Sequence, residues 1–332
     1  MPIDVHAHYV PLEILEPLAS RAADFGVSVV EASPGCQCLR FAHGLQVRPF
    51  FSKLVEPLPA RLASMDRTGI DRQVLSAWAD IFAYALPSTQ GTRWHRLLND
   101  SLARLCLREP GRFSWLASGA LPDAQGAARE LERAVREDGA VGGVVAANVE
   151  GTNLGDLDLD AYWACAQSLG VPVFIHPAAP APAARTSRQA LNQIVQYTYD
   201  TTLCIGSLIG AGVLDRFPRL ELILSHGGGA LPWLIGRFDC MHGRMDRQQQ
   251  QDVAAMAPSA YLTRLSYDTI LHEPAALRYL IERVGADRVV LGSDDSFPPA
   301  DHDPMATLRA TGIGADDIER IAEANPRRLF RF

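Results

Sequence analysis

The chain has 332 residues, 48% hydrophobic and 21% charged, with a formal net charge of −7. This is a globular composition with material for a large core, and its acidic balance argues against a nucleic-acid partner. The amino terminus shows no secretory leader pattern and no apolar run approaches the ~18 residues of a membrane span, so a cytoplasmic location is expected.

Short apolar runs alternate with helical patterns along most of the chain. A strand is expected over Pro2 to His6. An irregular insertion, residues 26–58, follows with two short strand candidates. Helix signal resumes at Pro59 and stops near Gly69. Then come a strand at Gln73 to Ala77, a helix at Thr92 to Arg108 and a strand at Phe113 to Ala120. A helix from Asp123 to Glu137 has Asp123 as its N-cap. Val141 to Ala147 is a strand, and Asp158 to Leu169 a helix ended by Gly170. Pro172 to His176 is the fifth strand, followed by one long helical segment from Arg188 to Arg216. Leu220 to Ser225 is the sixth strand and Ala230 to Met245 its helix. Leu262 to Tyr267 and Arg288 to Ser293 complete the strands, with a helix at Pro274 to Val284 between them. Two helices, Pro304 to Thr311 and Ala315 to Leu329, close the chain.

Eight strands, each followed by helical pattern, predict a (β/α)8 TIM barrel in one domain of residues 1–332. Several strands are continuous apolar runs, as parallel strands buried on both faces should be. A doubly wound sheet is less attractive, because no strand is followed by a Gly-rich phosphate loop. Gly227-Gly228-Gly229 is the nearest candidate and lacks the required spacing.

His6 and His8 form a His-x-His in the first strand. Residues i and i+2 of a strand share a face, with β-carbons roughly 7 Å apart. Two imidazoles at that separation can converge on one ion. Of nine histidines, four end strands: His6, His8, His176 after strand five and His226 after strand six. Asp294 follows strand eight. In a barrel all five residues project at the C-terminal face, where active sites are built. The six cysteines contain one C-x-C, Cys36 and Cys38, and no second pair at zinc-ribbon spacing, so reduced thiols are expected.

This order of motifs, with the words IDVHAHYVP, VFIHP, SHGGG and LGSDDSFP, resembles the amidohydrolase-2 branch of the amidohydrolase superfamily. The resemblance implies His6, His8, His176 and Asp294 as ligands of one divalent metal, most naturally Zn²⁺ with Mn²⁺ as a substitute. It implies His226 as the catalytic histidine, with Asp294 assisting it. Arg48 matches an arginine that binds a substrate carboxylate. Arg237 matches a second one inserted from a neighbouring subunit, which implies a homodimer with shared sites. Phe297, kept beside Pro298, is expected at the substrate. Binuclear members bridge two metals with Lys or Glu at the end of strand four. Here that position holds none, and Glu150 lies beyond Asn148, so one metal is expected.

The implied reaction is non-oxidative decarboxylation of an aromatic or conjugated acid of the aminocarboxymuconate semialdehyde, hydroxybenzoate or hydroxypicolinate type. Hydrolysis of a lactone or amide is the alternative, since a metal and a proton carrier serve both reactions. Two departures bear on the substrate. Ala178 stands where the branch has a tryptophan, and Asp295-Ser296 replaces an aromatic-Pro word. Asp295 is therefore expected to face substrate, repelling a second carboxylate or accepting a hydrogen bond.

Overall fold

A computed structural model describes residues 1–33, 36–179, 183–244 and 254–332. Eight strands lie side by side in chain order: β1 (Ile3–His8), β2 (Arg72–Ser76), β3 (Phe113–Ser118), β4 (Gly142–Ala146), β5 (Val173–His176), β6 (Leu222–Leu224), β7 (Ser266–Asp268) and β8 (Val289–Val290). Every neighbouring pair is parallel. The stretch just after β8 closes the ring against β1. Val5 donates to the Leu291 carbonyl at 2.9 Å, Asp294 to that of His6 at 2.8 Å, and His8 to that of Asp295 at 3.0 Å. The fold is the expected (β/α)8 barrel, with helices between successive strands.

Strands β1, β3, β4 and β5 are buried at every position, which is why they read as continuous apolar runs. One contiguous cluster of apolar side chains runs from Ile3 to Phe330. Local signals hold where the chemistry is explicit. Asp123 caps the helix Ala124–Glu137 by accepting from the Gly126 N–H at 2.8 Å. Gly170 ends the helix Asp160–Leu169 in the left-handed conformation, φ 64°.

The two strand candidates of the insertion pair as an antiparallel hairpin, Val27–Ser33 with Cys36–Phe41. Three expectations are corrected. The long helix after β5 is three pieces, a π turn at Asn192–Gln196, a helix at Tyr197–Gly210 and a short one at Val213–Arg216. Gly212, at φ 66°, interrupts the last two. The seventh strand starts late, because Pro258–Arg264 forms a 3-10 turn and only Ser266–Asp268 enters the sheet. The final helix is broken by a π turn at Arg320–Ala324. The helix after β6 spans Leu231–His242; its expected end at Met245 falls outside the described residues.

Candidate active site

The five strand-end residues do meet at one end of the barrel. A register irregularity in β1 lies between Asp4 and Ala7, a stretch that contains His6 and precedes His8. His6 and His8 face each other with Nε2 atoms 3.1 Å apart. Their outer nitrogens are held by neighbouring strands. His6 Nδ1 lies 2.5 Å from the Asp268 carboxylate at the end of β7. His8 Nδ1 lies 3.0 Å from Ser76 Oγ at the end of β2. The Pro177 carbonyl, 2.7 Å from His176 Nδ1, can only accept. The Asp268 carboxylate and the Pro177 carbonyl can only accept, so they hold the protons of His6 and His176 on Nδ1 and turn each Nε2 inward as a lone pair, and the Ser76 hydroxyl can accept the same proton from His8.

Asp294 sits opposite. Its Oδ1 is 3.1 Å from His6 Nε2, 3.3 Å from His8 Nε2 and 3.9 Å from His176 Nε2. Its Oδ2 is 3.5 Å from His226 Nε2. Two atoms in this space, His176 Nε2 and Asp294 Oδ1, are buried with no hydrogen-bond partner. Bare imidazole nitrogens gathered on a carboxylate repel one another unless a cation lies among them, so the donor set fits a metal ion. On distance alone, His226 also belongs to a four-donor group, since His6, His176, His226 and Asp294 each offer an atom within 4.8 Å of the others. The two oxygens of Asp294 separate the candidates: His8 shares Oδ1 with His6 and His176, whereas His226 takes Oδ2.

Without an ion, the charges of the site compensate one another. Burial works against the charged carboxylate of Asp294, but the facing imidazoles, His6 first and then His226 and His8, hold it well below the usual range. Burial depresses His176, helped by the imidazoles of His8, His6 and His226. Burial opposes charge on His6 too, yet Asp294 and Asp268 together push it up to about 10.

His226 is set by unusual backbone. It and Gly227, Gly228 and Gly229 all have positive φ, from 54° to 77°. A β-carbon on Gly229 would lie 2.2 Å from the Thr198 carbonyl oxygen. The triple glycine is therefore the turn that aims His226. Asp294 is likewise left-handed, φ 56°. Non-glycine residues in that region are uncommon and cluster at functional sites.

Asp268 is the residue that sequence reasoning missed. One fully buried carboxylate takes His6 Nδ1 and the His226 N–H (2.9 Å) on Oδ2, and the Gly227 (2.8 Å) and Ile270 (3.1 Å) N–H groups on Oδ1. The available signal was a carboxylate at the C-terminal end of a barrel strand, hidden because that strand was placed too early.

A cavity of about 480 Å³ opens beside these groups. Arg48 lines it, reaching in from the insertion. Its guanidinium lies over the rings of Phe51 (4.7 Å) and Trp78 (5.0 Å) and 3.2 Å from Asp80 Oδ2. Phe297 lines the same cavity, its ring 4.8 Å from His8 and 6.4 Å from Trp78. Trp78, Tyr197 and Trp233 supply further aromatic surface, so the aromatic lining expected to be lost with Ala178 comes from other elements. Arg237 is exposed on Leu231–His242 and does not line the cavity of its own chain. Glu150, past β4, is exposed as well.

Asp295 does not face the cavity, contrary to expectation. It points to the other side of the β8–β1 seam, where Lys53 Nζ (3.3 Å), Arg61 Nη2 (3.3 Å) and Gln73 Nε2 (3.4 Å) surround it. The left-handed backbone at Asp294 turns the chain there, and Asp295 leaves it on the side of Lys53, Arg61 and Gln73.

A family model described as Amidohydrolase (Amidohydro_2) matches residues 3–332. The chain belongs to the amidohydrolase-2 family. It is 30% identical over 300 residues to the 2-amino-3-carboxymuconate-6-semialdehyde decarboxylase of Dictyostelium discoideum, covering 89% of this chain and 82% of that protein. The crystal structure of 5-carboxyvanillate decarboxylase from Sphingomonas paucimobilis superposes with a TM-score of 0.82 at 26% identity, covering 100% of this amidohydrolase and 99% of that chain. A dihydroxybenzoic acid decarboxylase from Polaromonas sp. JS666, with bound manganese and the inhibitor 2-nitroresorcinol, gives 0.80 at 25% identity, covering 99% and 96%.

Proposed function

We propose that this amidohydrolase is a metal-dependent, non-oxidative carboxy-lyase of an aromatic or conjugated carboxylic acid. The observation that carries the reading is the division of Asp294, with Oδ1 facing three bare imidazole nitrogens and Oδ2 facing His226. His6, His8, His176 and Asp294 would hold one divalent ion, Zn²⁺ by donor type with Mn²⁺ as substitute. The absence of Lys, Asp or Glu at the end of β4 supports a single ion. When bound, the ion supplies Lewis-acid charge that polarises a chelating substrate oxygen.

The chain's own residues would do the rest. Arg48 orients the substrate carboxylate, and Phe297 with Trp78 gives the ring a flat wall. His226 delivers a proton to the carbon that bears the carboxylate. The carbon–carbon bond then breaks, its electrons return to the conjugated system, and CO₂ leaves. Solvent returns the proton to His226. Apolar lining keeps water from competing for that proton.

The same reading extends to assembly. Ile194, Val195, Tyr199 and Leu203 on one helical stretch and Trp233, Leu234 and Met241 on the next are exposed apolar side chains. Ile194 and Trp233 line the cavity, and Trp233, Leu234 and Met241 share a helix with Arg237, which supports a homodimer in which Arg237 enters the partner's site. Cys38, Cys106, Cys165, Cys204 and Cys240 are free thiols, which supports a cytoplasmic protein. Among the described residues no helix is long and apolar enough to cross a membrane.

The test is CO₂ release from hydroxybenzoates, hydroxypicolinates and aminocarboxymuconate semialdehyde. Release from at least one acid is expected. Turnover of lactones or amides with no CO₂ from any acid would replace this reading with a hydrolase. Metal analysis is expected to give one tightly bound ion per chain, and two would overturn the single-ion assignment.

A further inference from the structure

Asp80 follows β2 in Trp78-Ala79-Asp80 and is 3% exposed. It lines the cavity, together with Arg48, Tyr197 and Phe297. Its Oδ1 accepts the Ala179 N–H at 2.9 Å, which fixes the carboxylate in place. Its Oδ2 lies 3.2 Å from Arg48 Nη2 but makes no hydrogen bond. Arg48 Nε is also buried and unbonded. This part of the cavity wall thus pairs one guanidinium with one carboxylate, close enough to neutralise each other and each with unused hydrogen-bonding capacity. Arg48 is the sole Lys or Arg lining the cavity among the described residues.

This pair has a definite chemical complement. Arg48 offers N–H donors and Asp80 offers an acceptor. A substrate carboxylate satisfies the first, and a hydroxyl donor satisfies the second. A second carboxylate can only accept, so beside Asp80 it would meet a fixed negative charge in a poorly solvated wall. Asp80 already offsets the charge of Arg48, so this part of the wall favours one carboxylate over two. An arginine alone would invite anionic groups without discrimination; with Asp80 behind it the wall counts them.

We propose that Asp80 is a specificity-determining residue. It restricts the site to aromatic acids with a single carboxylate and a hydroxyl-type donor elsewhere on the ring. This inference rests on the carboxy-lyase reading above and goes beyond it, because that reading leaves the number of carboxylates open.

The experiment uses the metal-loaded enzyme and two matched sets of probes. One set is dihydroxybenzoates; the other is the same rings with one hydroxyl exchanged for a carboxylate, the hydroxyphthalates. Turnover is read as kcat/KM from CO₂ release, and binding as equilibrium affinity. The wild-type enzyme is expected to favour the monocarboxylic member of a pair by about tenfold or more. Asp80→Asn keeps the shape and removes the charge, and is expected to bring that ratio close to one, with a gain on the dicarboxylic member. Asp80→Ser tests the same shift without an amide. A wild-type enzyme that accepts dicarboxylic members equally well overturns the proposal. So does a ratio unchanged in both variants. Binding and turnover of neither set would instead strike at the parent reading. The wild-type ratio needs no variant, so misfolding of a variant leaves the proposal exposed to refutation.

Discussion

At the scale of single residues the site is a set of rings held from behind. Asp268 binds four donors with two oxygens, one from the His6 imidazole and two from the turn that aims His226. In Asp268→Asn any placement of the amide sets an N–H against another N–H, or forces the His6 proton onto Nε2, where an ion needs a lone pair. Metal affinity, measured by chelator competition, is expected to fall about 10–100-fold; unchanged affinity would make Asp268 a structural residue only. His226→Ala is expected to keep its metal and lose turnover, because His226 faces Oδ2 and not the three-imidazole side of Asp294. Loss of bound metal in that variant would make His226 a ligand. The strand-end histidines and Asp294 were legible in sequence because a short backbone word fixes each position. Asp80 and Asp268 were not, because each acts through a partner on a distant strand or loop, and such pairings are invisible along the chain. Asp295 misled for a related reason: sequence proximity to Asp294 does not say which side of the seam a side chain takes.

Elements were legible where a periodic pattern or a cap fixed them, as with Asp123 and Gly170. They were blurred where backbone departs from a regular period. The π turn at Asn192–Gln196 leads directly into Tyr197, and Gln193, Ile194, Tyr197 and Thr198 all line the cavity. Such turns are frequent at functional sites and carry the same apolar signal as an α-helix. The triple glycine read as a failed phosphate loop, whereas its work is conformational. Gly229→Ala combines positive φ with a backbone clash, and its φ strain alone is about 1–3 kcal/mol. A lower denaturation midpoint and reduced turnover are expected; full stability would show that the turn can relax. The helix Ser88–Cys106 carries a different liability. His95 is buried, 2.8 Å from Ser118 Oγ on β3, and burial pushes its pKa down to about 3. A depressed histidine binds fewer protons folded than unfolded between about pH 6.5 and 3, so stability falls as pH drops through that window. His95→Gln is expected to flatten that slope in denaturant titrations at pH 4 to 7, and an unaltered slope would place acid sensitivity elsewhere.

At the scale of the whole molecule, the exposed apolar stripe beside the cavity and the isolated position of Arg237 bear on assembly. Mixing Arg48→Ala and Arg237→Ala proteins is expected to restore part of the activity, since one site of a mixed dimer would regain both arginines. No recovery, with dimers present by sizing, would confine each site to one chain. The barrel itself was legible from the alternation of eight apolar runs with helical pattern, because burial on both faces removes the polar residues that blur a strand. Its closure has a consequence of another kind. The ring is fastened where Asp294 and Asp295 bond to His6 and His8, residues from opposite ends of the chain. An ion held by the side chains of His6, His8 and Asp294 would act as a clasp on that joint. Stripping it should loosen β1 and the 291–295 segment first, and hydrogen exchange should quicken there while β4, on the far side of the ring, stays protected.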